Sequence, residues 1–301
     1  MFGGIADFAM RGRWQAALTA ALLSALAMML PPVNYLASGV IALTTLRMGP
    51  SEGTKVVTAT IIVFALLAGL FFNNIAIAGL LLLSSWLPVF LVSIVLGYSR
   101  SLAAALLAGA GIGIVSVVGL HLFVGDVTAW WQQLISPFMA TLADQPEWTL
   151  NAEQTAEMTA RLAAMMTGLM AAGLCFNAVI GLIIGRAWQA KLYNPGGFGE
   201  EFRQLRLGNT AAVVTAIVMG LTLSPLKQSL PLLADILPVM MVVFVLQALA
   251  VAHAFVHRQK MAKGWLVAMY VLLILPQMVI ILAVAGVLDQ WFNFRKRIQI
   301  T

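Results

Sequence analysis

Long apolar runs separated by short polar breaks fill this chain from residue 14 to residue 288. Trp14 to Leu30 is the first run, and Pro31-Pro32 ends it, because proline lacks an amide donor and clashes with the preceding turn. Tyr35 to Leu46 follows, then a polar turn from Arg47 to Gly53. Val56 to Phe72 is broken by Asn73-Asn74, and Ile75 to Leu96 comes next with a kink expected at Pro88. Tyr98-Ser99-Arg100 separates it from the glycine-rich run Leu102 to Val124. Leu162 to Ile184 is the sixth run, and stretches at about 209–223, 231–256 and 264–288 complete the series. A crossing helix needs about 20 apolar residues. The pattern therefore predicts an all-α, polytopic transmembrane helix bundle of about nine crossings, or eight if 209–223 falls short.

Two polar stretches organise the runs. Residues 125–160 hold Asp126, Asp144, Glu147, Glu153 and Glu157 together with Trp130, Trp131 and Trp148. Tryptophan concentrates where helices meet the membrane surface, so this stretch reads as an exterior loop with short interfacial helices. Asn151, three residues before Gln154, is placed to cap the helix that leads back in. Residues 185–208 carry Arg186, Lys191, Arg203 and Arg206 around the turn Asn194-Pro195-Gly196-Gly197. The chain thus divides into a six-helix membrane core, 1–186, and a basic connection with carboxy-terminal helices, 187–301.

Composition agrees with the pattern. Hydrophobic residues make up 61% of the 301 and charged residues 9%; soluble domains run at roughly 45–50% and about 25%. So little charge cannot clothe a water-soluble surface, which excludes a soluble enzyme, a nucleic-acid-binding domain and a disordered tail. The net charge of +6 reads as cytoplasmic basic loops that orient the helices, with no nucleic-acid partner. With the amino terminus in the cytoplasm, nine crossings put Arg47, Lys55, Arg100, the Arg186–Arg206 connection and Arg258–Lys263 inside. The acidic stretch 125–160 then falls outside. One element disagrees: the tail Arg295-Lys296-Arg297 also lands outside, so either the charge rule fails at that end or one late run, 209–223 first, is not a full crossing. The start of the chain is similar to a signal peptide with Ser24-Ala25-Leu26-Ala27 as its cleavage site, but the apolar run continues through Met28-Met29-Leu30, so we read an anchored first helix.

Candidate chemistry is sparse. Cys175 is the single cysteine, and His121, His253 and His257 form no metal-ligand spacing, so no metal and no cofactor are expected. No Gly-x-Ser-x-Gly elbow or Walker loop occurs; the chain is expected not to be an enzyme, and any ATPase must be a separate protein. A substrate site is sought at the outer helix ends. Asn34 and Tyr35 follow the first run, Asn73 and Asn74 end the third, His121 lies near the end of the fifth, and Asp126 follows it. Trp130 and Trp131 would form a lid. Together these offer donors, acceptors and flat faces to a small polar aromatic ligand. Each has a plainer role as an interface anchor or helix cap. Asn177, Gln247, His253 and Gln277 lie deeper and read as interhelical hydrogen-bonding groups; Asp235 is the one acid near a span. Ala17, Ala21 and Ala25 repeat every four residues, a spacing that lets helices pack closely.

Two resemblances extend this reading. Glu201-Phe202-Arg203-Gln204-Leu205-Arg206-Leu207, then Val245 to Val251, then Gly286-Val287-Leu288-Asp289-Gln290-Trp291-Phe292-Asn293-Phe294-Arg295 resemble the YybS-like bacterial membrane family, domain of unknown function 2232. That family brings no established activity. The alanine-rich first helix, the proline loop, the short helix ending in Gly49-Pro50 and the helix beginning near Gly53 are similar to S components of energy-coupling-factor vitamin transporters. This second likeness implies an S-component-like six-helix core with a three-helix extension in the bacterial cytoplasmic membrane. It also implies docking of a coupling protein on Ala17, Ala21 and Ala25, and separate ATPase subunits. Transport of a small molecule is the expectation; a membrane scaffold working through basic loops is the alternative, and an enzyme of lipid-linked substrates ranks third.

Overall fold

The computed structural model describes residues 3–225 and 231–297, and among them every regular element is helical. A short α1 (Gly3–Ala9) precedes α2 (Arg13–Ala27). A 3-10 turn at Pro31–Val33 leads to α3 (Asn34–Met48). Gly49, at φ +91°, then turns the chain into α4 (Pro50–Phe72) with Pro50 in its first turn, where a missing amide costs nothing. The next span is α5 (Ala76–Leu81), a π turn (Leu82–Trp86) and α6 (Leu87–Ser99). The π turn stands immediately before Pro88, where the sequence predicts a kink. Ser101 caps α7 (Leu102–Val124), and Asp126 caps α8 (Val127–Ala143). Asn151 and Gln154 form a reciprocal capping box at the start of α9 (Ala152–Tyr193). Then come α10 (Gly197–Arg203), α11 (Asn209–Thr222), α12 (Pro231–Arg258), α13 (Gly264–Leu272) and α14 (Pro276–Phe292). A 3-10 turn, Phe294–Arg297, follows.

Among the described residues, five spans are long and apolar enough to cross a membrane: α4, the α5–α6 span, α7, α9 and α12. The α13–α14 pair makes six if counted as one. The expected nine crossings are therefore not established. The reason lies in length: α2 and α3 have 15 residues each and α11 has 14, or about 21–23 Å at 1.5 Å per residue, against a hydrocarbon core of about 30 Å. α3 is a core helix, with all nine residues from Ala37 to Thr45 buried. At the other extreme, the 42 residues of α9 span about 63 Å and overreach any bilayer.

One apolar core joins α1 to α6 around Ile41, Phe64, Trp86 and Trp188; a second joins α6, α7, α9, α11, α12 and α14 around Leu106, Leu182 and Phe244. α9 feeds both and runs unbroken through residue 186, the boundary expected between core and extension. α2 packs on α3 and α4, with Ala16, Ala17, Ala20 and Ala21 buried and Ala25 half-buried. The exposed stripe of α2 is instead Trp14, Leu18, Leu22 and Leu26.

The last two helices settle the misplaced tail. α13 and α14 are bent by 114° at a break of a few residues. α13 starts just after the Arg258 end of α12, and the turn beyond α14 returns to that end: Arg258 Nη1 donates to the Arg295 carbonyl at 2.6 Å. Both ends of the pair thus lie at one face. The sequence leaves the side of the Arg295-Lys296-Arg297 tail open; here Arg295 returns to the Arg258 end, because a continuous apolar run in the sequence hides a bend. A buried polar lock holds the arrangement. Gln247 Nε2 donates to the Gly286 carbonyl (2.9 Å) and to Asp289 Oδ2 (3.1 Å), and its Oε1 accepts from the Leu207 amide (2.9 Å). Arg295 pairs with Asp289 at 3.4 Å and donates to the Leu205 carbonyl at 2.6 Å. Burial pushes the Arg295 guanidinium below its ordinary pKa; Asp289 opposes the shift, and Arg206 and Arg258 add to it.

Candidate functional site

A largely buried ionisable pair between long apolar helices is built where α7, α9 and α12 meet. Small residues make that meeting close. A Cβ at Gly168 of α9 would lie 3.1 Å from the Asp235 Cα, and one at Gly113 of α7 would lie 2.9 Å from the Ala171 carbonyl oxygen. Such contacts are how membrane helices gain packing energy without a hydrophobic driving force. They bring His121, in the last turn of α7, to Asp235, early in α12. His121 Nε2 lies 2.8 Å from Asp235 Oδ2, with side chains 13% and 8% exposed. The other carboxylate oxygen accepts from the Gly168 amide at 3.1 Å. A carboxylate and an imidazole held this way can share or exchange a proton, and can recognise a hydroxyl or amine that enters between them. In a low dielectric each of these interactions counts for more than it would in water.

The neighbouring wall comes from α8. Trp131 Nε1 donates to Thr167 Oγ1 at 2.9 Å, one residue from Gly168, and Trp130 meets Trp131 edge-on with ring centroids 4.7 Å apart. Asp126 spends a carboxylate oxygen on the Ala129 amide at 2.9 Å, which fixes the start of α8. Four of the eight expected ligand residues, His121, Asp126, Trp130 and Trp131, therefore sit at one end of the bundle. Asp235, Thr167 and Gly168 join them. Asp235 stands out in sequence as the one acid near a span; Thr167 and Gly168 carry no signal among many small residues of α9.

The remaining four are elsewhere. Asn34 belongs to a second polar cluster, donating to Ser85 Oγ at 3.0 Å. Ser85 is delivered by the π turn, lies 2.8 Å from Ser38 Oγ and donates to Asn177 Oδ1 at 3.1 Å. π turns often mark functional positions, and the buried Asn34 Oδ1 has no hydrogen-bond partner. Asn177 is nine residues along α9 from Gly168, about 13.5 Å. Tyr35 packs edge-on to Phe176 at 5.6 Å. Asn73 ends α4 in the left-handed conformation, and Asn74 Oδ1 accepts from the Ala76 amide at 3.0 Å; the two build a turn between helices. Among the described residues no three His, Cys, Asp or Glu side chains converge as metal ligands.

No curated protein and no solved structure matches the chain. Its membrane-length helices, and a terminal segment that closes a buried lock through Gln247, Asp289 and Arg295, accompany a family match that runs from residue 17 to residue 290. The chain belongs to the family of predicted membrane proteins described as domain of unknown function 2232 (DUF2232).

Proposed function

We propose that this protein is a multi-pass component of the bacterial cytoplasmic membrane, amino terminus inside, that captures a small polar molecule at the outer end of α7, α9 and α12 and passes it inward with separate energising subunits. The observation that carries the reading is the His121–Asp235 pair, held between α7 and α12 with side chains only 13% and 8% exposed. An ionisable pair in such a place is costly, and functional use is its default explanation. Trp131, bonded to Thr167 beside Gly168, and Trp130 against it would flank the ligand in this reading. In this reading the chain itself makes and breaks no covalent bond, and needs no cofactor. The coupling surface is the exposed α2 stripe Trp14, Leu18, Leu22 and Leu26, since Ala17 and Ala21 are already covered by the chain's own helices.

A gently extracted preparation in lipid nanodiscs tests this by native mass spectrometry. The wild type should retain a small molecule that Asp235→Asn and His121→Ala lose. Retention by both variants would sink the site. A second reading, a membrane scaffold acting through its basic loops, is favoured by one observation: a Cβ at Gly185 of α9 would lie 2.8 Å from the backbone of Gly39 and Leu43, so α3 and α9 leave no space between them there. Ligand-free protein that co-purifies with a stable set of partners would favour the scaffold.

A further inference from the structure

α14 packs on α12, but α13, beyond the bend, does not close on it. It leaves a half-open cavity of about 500 Å³ whose lining includes Ala252, Phe255, Met261, Trp265, Met269 and Leu282. Its wall is almost wholly carbon. α13 has no buried residue at all, and Trp265, Val267 and Val271 on it are exposed, so this helix leans on little protein. In a bilayer such a space is filled with hydrocarbon. The rim is cationic. Val256, Met261, Trp265 and Phe294 line the cavity, and each is within two residues of Arg258, Lys260, Lys263 or Lys296. Lys260, Lys263 and Lys296 are exposed and make no ion pair among the described residues. Arg206 and Arg258 direct guanidinium groups to the neutral carbonyls of Gln290 and Arg295. Asp289 is the carboxylate paired with Arg295, whose buried Nε has no hydrogen-bond partner.

We propose that this cavity binds one anionic phospholipid, an acyl chain lying between α12, α13 and α14 and the phosphate held by Lys260, Lys263, Lys296 and Arg258. Charge complementarity selects this occupant. A second copy of the chain would bring the same cations to the same face, and a zwitterionic lipid would leave the rim uncompensated. A basic cluster at the end of a membrane helix attracts anionic headgroups at about 1 kcal/mol per lysine or arginine, or roughly fivefold in affinity each. Free phosphate would engage the rim but gain nothing from the cavity. The lipid would also fill the space that α13 leaves, and so hold the bend in place.

The full-length protein, stripped of lipid in detergent, is titrated with phosphatidylglycerol, with phosphatidylcholine and with inorganic phosphate, and read by native mass spectrometry. One phosphatidylglycerol per chain should bind at least tenfold more tightly than phosphatidylcholine, and millimolar phosphate should not displace it. The exposed triple variant Lys260→Gln/Lys263→Gln/Lys296→Gln should lose roughly fivefold per lysine, and the matching Lys→Arg triple should restore binding. Ala268→Phe, which places a ring in the cavity lining, should weaken both lipids alike. Equal binding of the two lipids, an unaffected lysine triple, displacement by free phosphate, or a lipid-free dimer that buries this face would each overturn the proposal. The ligand, the residues and the face all differ from those of the capture site, so either can fail alone.

Discussion

The two polar centres of this molecule are built in opposite ways. At the Arg258 end, Gln247, Asp289 and Arg295 bond to one another and to the backbone of the 205–207 connection and of α14. That network ties the 205–207 connection and the turn after α14 to helices already packed in one apolar core. At the other end, His121 and Asp235 bond to each other and to one amide. The comparison shows what polarity does inside a membrane protein. A satisfied network fixes the path of the chain, whereas a sparse ionisable pair, costly to keep and tied to few partners, is the better candidate for meeting a ligand.

Four measurements break or sharpen this contrast. The largest effect is all-or-none. In a Cys175→Ser background, which has no other cysteine, Lys263→Cys and Lys296→Cys should react with an impermeant thiol reagent from the same membrane face. Labelling from opposite faces would remove the return of α14 and the lock's purpose with it. Next, Asp289→Ala should destabilise the protein by about 3 kcal/mol in reversible detergent unfolding, because it leaves the Arg295 guanidinium buried without its carboxylate. A loss below about 1 kcal/mol would mean that the network is not what holds the tail. A double-mutant cycle on His121→Ala and Asp235→Ala should give a coupling of about 1–2 kcal/mol, smaller than the lock. Coupling as large as that of the lock would make the pair a structural tie. Last, Arg161→Gln should change stability by less than about 0.5 kcal/mol, since its pair with Glu157 lies open to solvent on α9.

Much of this was legible in the sequence because a membrane imposes a coarse rule: apolar runs must be helices and polar breaks must be turns. The pattern located the helices, the Asn73-Asn74 and Gly49-Pro50 turns, the Asn151 cap and the disturbance near Pro88, all of which depend on neighbours a few residues away. The Leu288 to Arg295 segment, which carries the resemblance in the sequence, extends past the family match at residue 290; what the structure adds is the pairing of its Asp289 with Arg295. The expected ligand group fared unevenly. His121, Asp126, Trp130 and Trp131 stand together because they are close in the chain as well as in space, whereas Asn34, Tyr35, Asn73 and Asn74 were joined to them by the assumption that all outer helix ends converge.

By itself, then, the sequence determined the solvent, the helical class and the local boundaries, since hydropathy and backbone chemistry act over a turn or two. Only the tertiary structure decided which apolar run bends back, which short helix has its whole middle buried, and that Asp235 faces His121 across 114 residues. Those outcomes depend on where glycines such as Gly113 and Gly168 allow two backbones to touch. Close approach of this kind is a property of pairs of helices, and no single stretch of sequence contains it.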